Sequence, residues 1–64
     1  MYLQNKYTKW YNSIIINAKS RSLTTYTENH HIIPKSLGGG NDPTNMVKLT
    51  AREHFVCHLL LPKM

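Results

Sequence analysis

Apolar side chains recur at Leu3, Tyr7, Trp10, Tyr11, Ile14, Ile15 and Ala18, at spacings of three and four that set them on one face of an α-helix. The pattern predicts an N-terminal helix over about residues 2–19, although the β-branched run Ile14 to Ile16 also suits a strand. Tyr7, Trp10 and Tyr11 read as the lid of a hydrophobic core, with a stacking platform for bases as the alternative. After the connection "SRSL", the stretch "TTYTENHHII", residues 24–33, alternates with β-favouring types up to Pro34, which stops ladder hydrogen bonding. The eleven residues "KSLGGGNDPTN", 35–45, read as a loop without regular structure. "MVKL", 46–49, is a second strand with Val47 and Leu49 on one face, and the two strands are expected to pair as an antiparallel ribbon. Thr50 and Glu53 form a capping box that starts a second helix, expected from about Ala51 to Leu61 and stopped by Pro62. The predicted order is helix, strand, loop, strand, helix.

At 64 residues the chain supports one small domain, 1–64, and even one core is marginal without a staple. A single cysteine, Cys57, excludes an internal disulfide, and four histidines point to a metal in its place. Eight Lys and Arg against three acidic residues give a net charge of +5, which suits a polyanionic partner, although the basic residues are scattered along the chain. No apolar run approaches the roughly 18 residues of a membrane span, and Met1 is not followed by a secretory apolar segment. A cytoplasmic protein with a free Cys57 thiol is the expectation.

His54 and His58 lie four apart on the second helix, so their rings leave one face about one turn apart, within reach of a single ion. Cys57 between them reads as core filler, with a thiolate ligand as the alternative. A hairpin packed on this helix would add one ring of the adjacent pair His30 and His31. Neighbouring strand residues point to opposite faces, so the two rings take different environments, and alternation alone does not say which one meets the helix. One imidazole can hold an ion while its neighbour stays free to take a proton from water.

The string "HHIIPKSLGGGNDPTNMVKLTAREHFVCH", residues 30–58, resembles the signature of the HNH endonucleases, the ββα-metal nucleases. It carries the paired histidine, the "IIP" strand end, a Gly-rich loop with Asp, an Asn entering the second strand, and the helical histidines. "LTAREHFVCHLL" further resembles the catalytic module of phage homing endonucleases of this type. The resemblance implies an α+β, small ββα-metal fold, with a core over about 25–62 and an additional N-terminal helix packed on the hairpin and C-terminal helix. It implies that His30, His54 and His58 bind one divalent metal ion, that His31 is the general base, and that Asn45 ties down the loop and so helps orient the base.

The activity so implied is hydrolysis of DNA phosphodiester bonds to 5′-phosphate and 3′-hydroxyl ends, in the cell that hosts a phage or mobile element. Double-stranded DNA is the expected partner, with a homodimer or a larger partner supplying sequence specificity. Three imidazoles suit Zn or Ni better than Mg, and Mn completes the set of candidate ions. Glu28 shares strand parity with His30 and reads either as the acceptor of its second ring proton or as a solvated edge charge. Lys35 and Arg52 read as phosphate contacts or as exposed cations. Gly38 to Gly40 read as a turn or a phosphate cradle, and Asn45, without the resemblance, as a turn residue. The alternatives in function are a metal-stapled nucleic-acid-binding module without catalysis and a truncated nuclease remnant.

Overall fold

A computed structural model describes residues 4–22 and 24–64. Tyr2 and Leu3, within the expected first turn of the first helix, and Leu23, in the connection, lie outside the described residues. Helix α1 runs Lys6–Lys19 and is started by Asn5, whose Oδ1 accepts from the backbone N–H groups of Tyr7 and Thr8. Strand β1, Glu28–His31, pairs antiparallel with β2, Met46–Leu49, and helix α2, Ala51–Leu60, follows directly. The α+β class expected from the sequence is the class adopted: a ββα unit with an N-terminal helix packed against β2 and α2.

The core consists of Tyr11, Ile15 and Ala18 from α1, Val47 and Leu49 from β2, and Cys57 and Leu60 from α2. Burying a side chain such as Leu49 completely contributes about 2 kcal/mol, so these few residues hold most of the fold together. Cys57 is fully buried as a free thiol, and desolvation followed by the Glu53 charge pushes its pKa up to about 11. Protonated and enclosed, it fills space.

The apolar face of α1 is narrower than predicted. It centres on Tyr11, Ile15 and Ala18, with Thr8 beside them, while Trp10 is 55% exposed. One residue of helix rotates by about 100°, so Trp10 leaves the face that Tyr11 occupies. The lid therefore contains Tyr11, with Tyr7 packed partly buried against it, and excludes Trp10.

The first strand is also shorter than the ten residues expected. Glu28 pairs with Leu49, so Thr27 would face Thr50, which is already committed to capping α2. At the other end the ladder stops because Asn45 takes over the bonding: its carbonyl accepts from Ile32 N–H at 2.9 Å and its Oδ1 from Ile33 N–H at 2.8 Å. The loop, expected to be irregular, contains two single 3-10 turns, Lys35–Leu37 and Pro43–Asn45. The Pro34 carbonyl accepts from the N–H groups of Leu37 and Gly39, and Gly38 closes that turn at φ 93°. Any side chain at Gly39 would fall on the Ile33 carbonyl, so Gly38 and Gly39 serve this tight turn.

The predicted capping box is present: Thr50 Oγ1 accepts from Glu53 N–H at 3.2 Å, and Glu53 Oε1 accepts from Thr50 N–H at 2.9 Å. The α-helix ends one residue before the predicted Leu61, and a 3-10 turn carries the chain through Pro62. Glu53 has a second task, accepting from both terminal nitrogens of Arg21, which ties the segment after α1 to the start of α2. This ion pair, helped by the Thr50 amide, holds the Glu53 carboxyl down at about 2.

Candidate metal centre

Strand alternation and the buried ribbon face decide where His30 goes. It stands opposite Val47, a core residue, and is only 2% exposed. Helix α2 crosses that face and presents His54 and His58 from successive turns. The ring centroids are 5.1 Å apart for His30 and His54, 5.7 Å for His30 and His58, and 4.7 Å for His54 and His58. One ring nitrogen from each of the three lies within 4.8 Å of the other two.

This donor set fits a transition metal. Two nitrogens bound to one tetrahedral ion at about 2.0–2.1 Å stand about 3.3 Å apart, and His54 Nε2 and His58 Nε2 are 3.1 Å apart. His30 is disposed to stay neutral, as a ligand must. Burial, then the nearby rings of His54, His58 and His31, push its pKa down to about 4.

Of the two readings of Glu28, partner of the His30 ring or edge charge, neither describes its contacts: it faces His54. Its Oε1 lies 2.7 Å from His54 Nδ1, while its Oε2 accepts from the Tyr26 hydroxyl at 2.6 Å. The bonds from Tyr26 and His54, in that order, hold its carboxyl below the usual range. A proton on Nδ1 facing Glu28 leaves the His54 Nε2 lone pair directed at the other histidines. Beside His30 stands Tyr11, whose hydroxyl is 2.6 Å from His30 Nε2. A buried Tyr on a core face calls for a partner for its hydroxyl, which is the one signal the sequence offered, but nothing in helical spacing names the partner.

His31 is half-buried, and its Nε2 lies 2.7 Å from Asn41 Oδ1. An amide oxygen only accepts, so the neutral ring carries its proton on Nε2 and its lone pair on Nδ1. The two neighbours of the "HH" pair thus differ in burial and partners, yet both line one cleft of about 330 Å³ together with His54, His58, Asn29 and Lys35. Asn41 was not singled out by the sequence, where "GGGND" reads only as turn chemistry.

Asn45 lies beneath the loop and is 9% exposed. Beyond its bond from Ile33 N–H, its amide donates to the carbonyls of Ile33 at 3.1 Å and Gly40 at 2.9 Å. One side chain thereby holds the end of β1 and the returning loop together. Lys35 is on the cleft wall, whereas Arg52 is exposed on α2 outside it. A larger groove of about 430 Å³ lies away from the histidines, between the end of α1 and β2, and includes Lys19, Arg21 and Lys48. No helix among the described residues is long and apolar enough to cross a membrane.

Comparison with known proteins gives relatives over nearly the whole chain. It is 52% identical over 58 residues to a protein named probable mobile endonuclease E of Enterobacteria phage T4, covering 89% of this chain and 41% of the relative. It is 53% identical over 62 residues to probable mobile endonuclease D of the same phage, covering 89% of this chain and 24% of the relative. A more distant similarity, 34% over 61 residues, is to an uncharacterized 38.5 kDa protein in psbA intron 1 of Chlamydomonas moewusii, covering 94% of this chain and 18% of that protein. The chain thus spans less than half the length of the curated relatives it matches. No protein-family profile and no solved structure matches it.

Proposed function

We propose that this chain is the HNH-type catalytic module of a metal-dependent endonuclease, hydrolysing phosphodiester bonds of double-stranded DNA to 5′-phosphate and 3′-hydroxyl ends. The observation that carries the reading is the arrangement of four imidazoles around one cleft. Nitrogens of His30, His54 and His58 converge within 4.8 Å, while His31 lines the same cleft with its ring held by Asn41 and outside the cluster. The similarity to proteins named mobile endonucleases supports the same chemistry.

His30, His54 and His58 would hold one divalent ion, with Zn or Ni favoured over Mn and Mg by the all-imidazole donor set. When bound, such an ion would supply Lewis acidity toward the scissile phosphate. The rest belongs to the chain. His31 withdraws the proton from a water aligned for in-line attack on phosphorus, a role for an imidazole that lines the cleft. Asn45 acts at one remove, holding the Ile33 and Gly40 backbone that leads away from His31. Lys35, on the cleft wall, is placed to meet a phosphate, and the net charge of +5 favours approach to DNA. A homodimer or larger partner would supply sequence specificity.

The reading is tested by incubating the chain with supercoiled plasmid and each of Zn, Ni, Mn and Mg. Nicked or linear product that disappears with EDTA and returns on metal addition supports it. Metal binding without cleavage by any of these ions would instead favour a metal-stapled nucleic-acid-binding module.

A further inference from the structure

We infer that Tyr11 is a positioning residue of the metal centre, fixing His30 in the tautomer that offers Nδ1, and not Nε2, to the ion. The inference rests on the proposed metal reading of the three histidines and adds to it a residue from outside the ββα unit. Tyr11 sits on α1, is 1% exposed, and reaches the ribbon with its hydroxyl. That hydroxyl donates to the Ile32 carbonyl at 2.8 Å and lies 2.6 Å from His30 Nε2. A carbonyl oxygen only accepts, so the phenolic proton is used on Ile32, and the phenolic oxygen meets the imidazole as an acceptor. Nε2 of His30 must then carry the ring proton, which leaves the lone pair on Nδ1.

The arrangement complements the one at His54, where Glu28 faces Nδ1 and leaves Nε2 toward the cluster. The two rings approach the common point through different nitrogens because their second nitrogens are engaged from different sides, one by a core helix and one by the edge of the ribbon. The Tyr11 and His30 rings also pack in an edge arrangement, with centroids 5.9 Å apart and planes at 64°. Removing only the phenolic oxygen leaves this packing in place while stranding the Nε2–H group in a dry environment. The ring can then relieve the loss by moving its proton to Nδ1, which turns the ligand nitrogen into a donor.

The test is Tyr11→Phe in the otherwise unchanged chain, with the metal itself as probe. Zn and Co affinities are measured by calorimetry and competition with a chromophoric chelator, and the His30 tautomer is read from long-range ¹H–¹⁵N correlations. The inference expects wild-type His30 to carry its proton on Nε2, with Nδ1 shifted on Zn addition. It expects Tyr11→Phe to lose about tenfold to a hundredfold in metal affinity, alongside an altered visible spectrum of the Co form. An unchanged affinity in a folded Tyr11→Phe protein, or a wild-type His30 that binds through Nε2, overturns it. Should the variant fail to fold, the wild-type tautomer measurement decides alone. Absence of metal binding by the wild-type chain would instead overturn the underlying reading of the three histidines.

Discussion

The floor and the rim of the histidine cleft are built from adjacent residues and differ in nearly every physical respect. At the floor, His30 is enclosed by the core, contacts a Tyr hydroxyl and has its pKa lowered by burial. At the rim, His31 is half-buried and meets a loop amide. The same side chain is enclosed in one place and half-exposed in the other. What separates them is the pleat of the strand, which costs nothing extra in sequence. Adjacency on a strand thus gives two imidazoles different environments, whereas helical spacing sets His54 and His58 on one face of α2.

The most forceful way to break this contrast is to remove each ring in turn. His31→Ala is expected to reduce plasmid cleavage by about 10²–10⁴-fold while Zn binding by calorimetry stays near wild type. His30→Ala is expected to lose metal affinity and cleavage together. Equal metal loss in both variants would mean that floor and rim are not distinct.

Next in size is Asn45→Ala, which acts on the backbone that follows His31. It strands the Ile33 N–H and two carbonyls that the amide now satisfies, so urea unfolding should show a loss of about 2–3 kcal/mol. Cleavage should fall with little change in metal affinity, since the loop leads from the His31 side.

A smaller effect marks the corner outside the cleft. Glu53 is held at about 2, below its ordinary 4.5, by the Arg21 guanidinium. A lowered folded-state pKa stabilises the fold above the unfolded value, and that contribution is lost as pH falls from about 4.5 toward about 2. In the metal-free protein, urea midpoints measured across this window should drop, and Arg21→Ala should flatten the drop. The smallest effect is expected for Trp10→Ala, within about 0.5 kcal/mol by thermal or urea unfolding, because the indole is mostly exposed. Any large loss there would restore Trp10 to the core from which α1 turns it away.

Much of the architecture was readable from local rules. The capping box placed the start of α2 to the residue, and the alternation of Val47 and Leu49 placed β2 and its buried face. Local rules failed where an element's length depends on a partner. Residues 24–27 have strand-like composition but no strand opposite them, because Thr50 has already turned into α2. The turns within the loop are not legible for a related reason: they are held by Pro34 and Asp42 carbonyls and by Asn45, contacts that composition does not encode.

For the candidate site, the sequence by itself determined which groups could meet: two histidines one turn apart on a helix, and a strand carrying one ring toward that helix and its neighbour away. Those are consequences of fixed local periods, 3.6 residues per turn and two per pleat. Only the tertiary structure decided which ring went inward, that Glu28 turns to His54, and that Tyr11 and Asn41 meet the two adjacent imidazoles. Such pairings join residues 10 to 26 positions apart, and hydrogen bonds over that separation depend on how helix, ribbon and loop pack, which no local period contains.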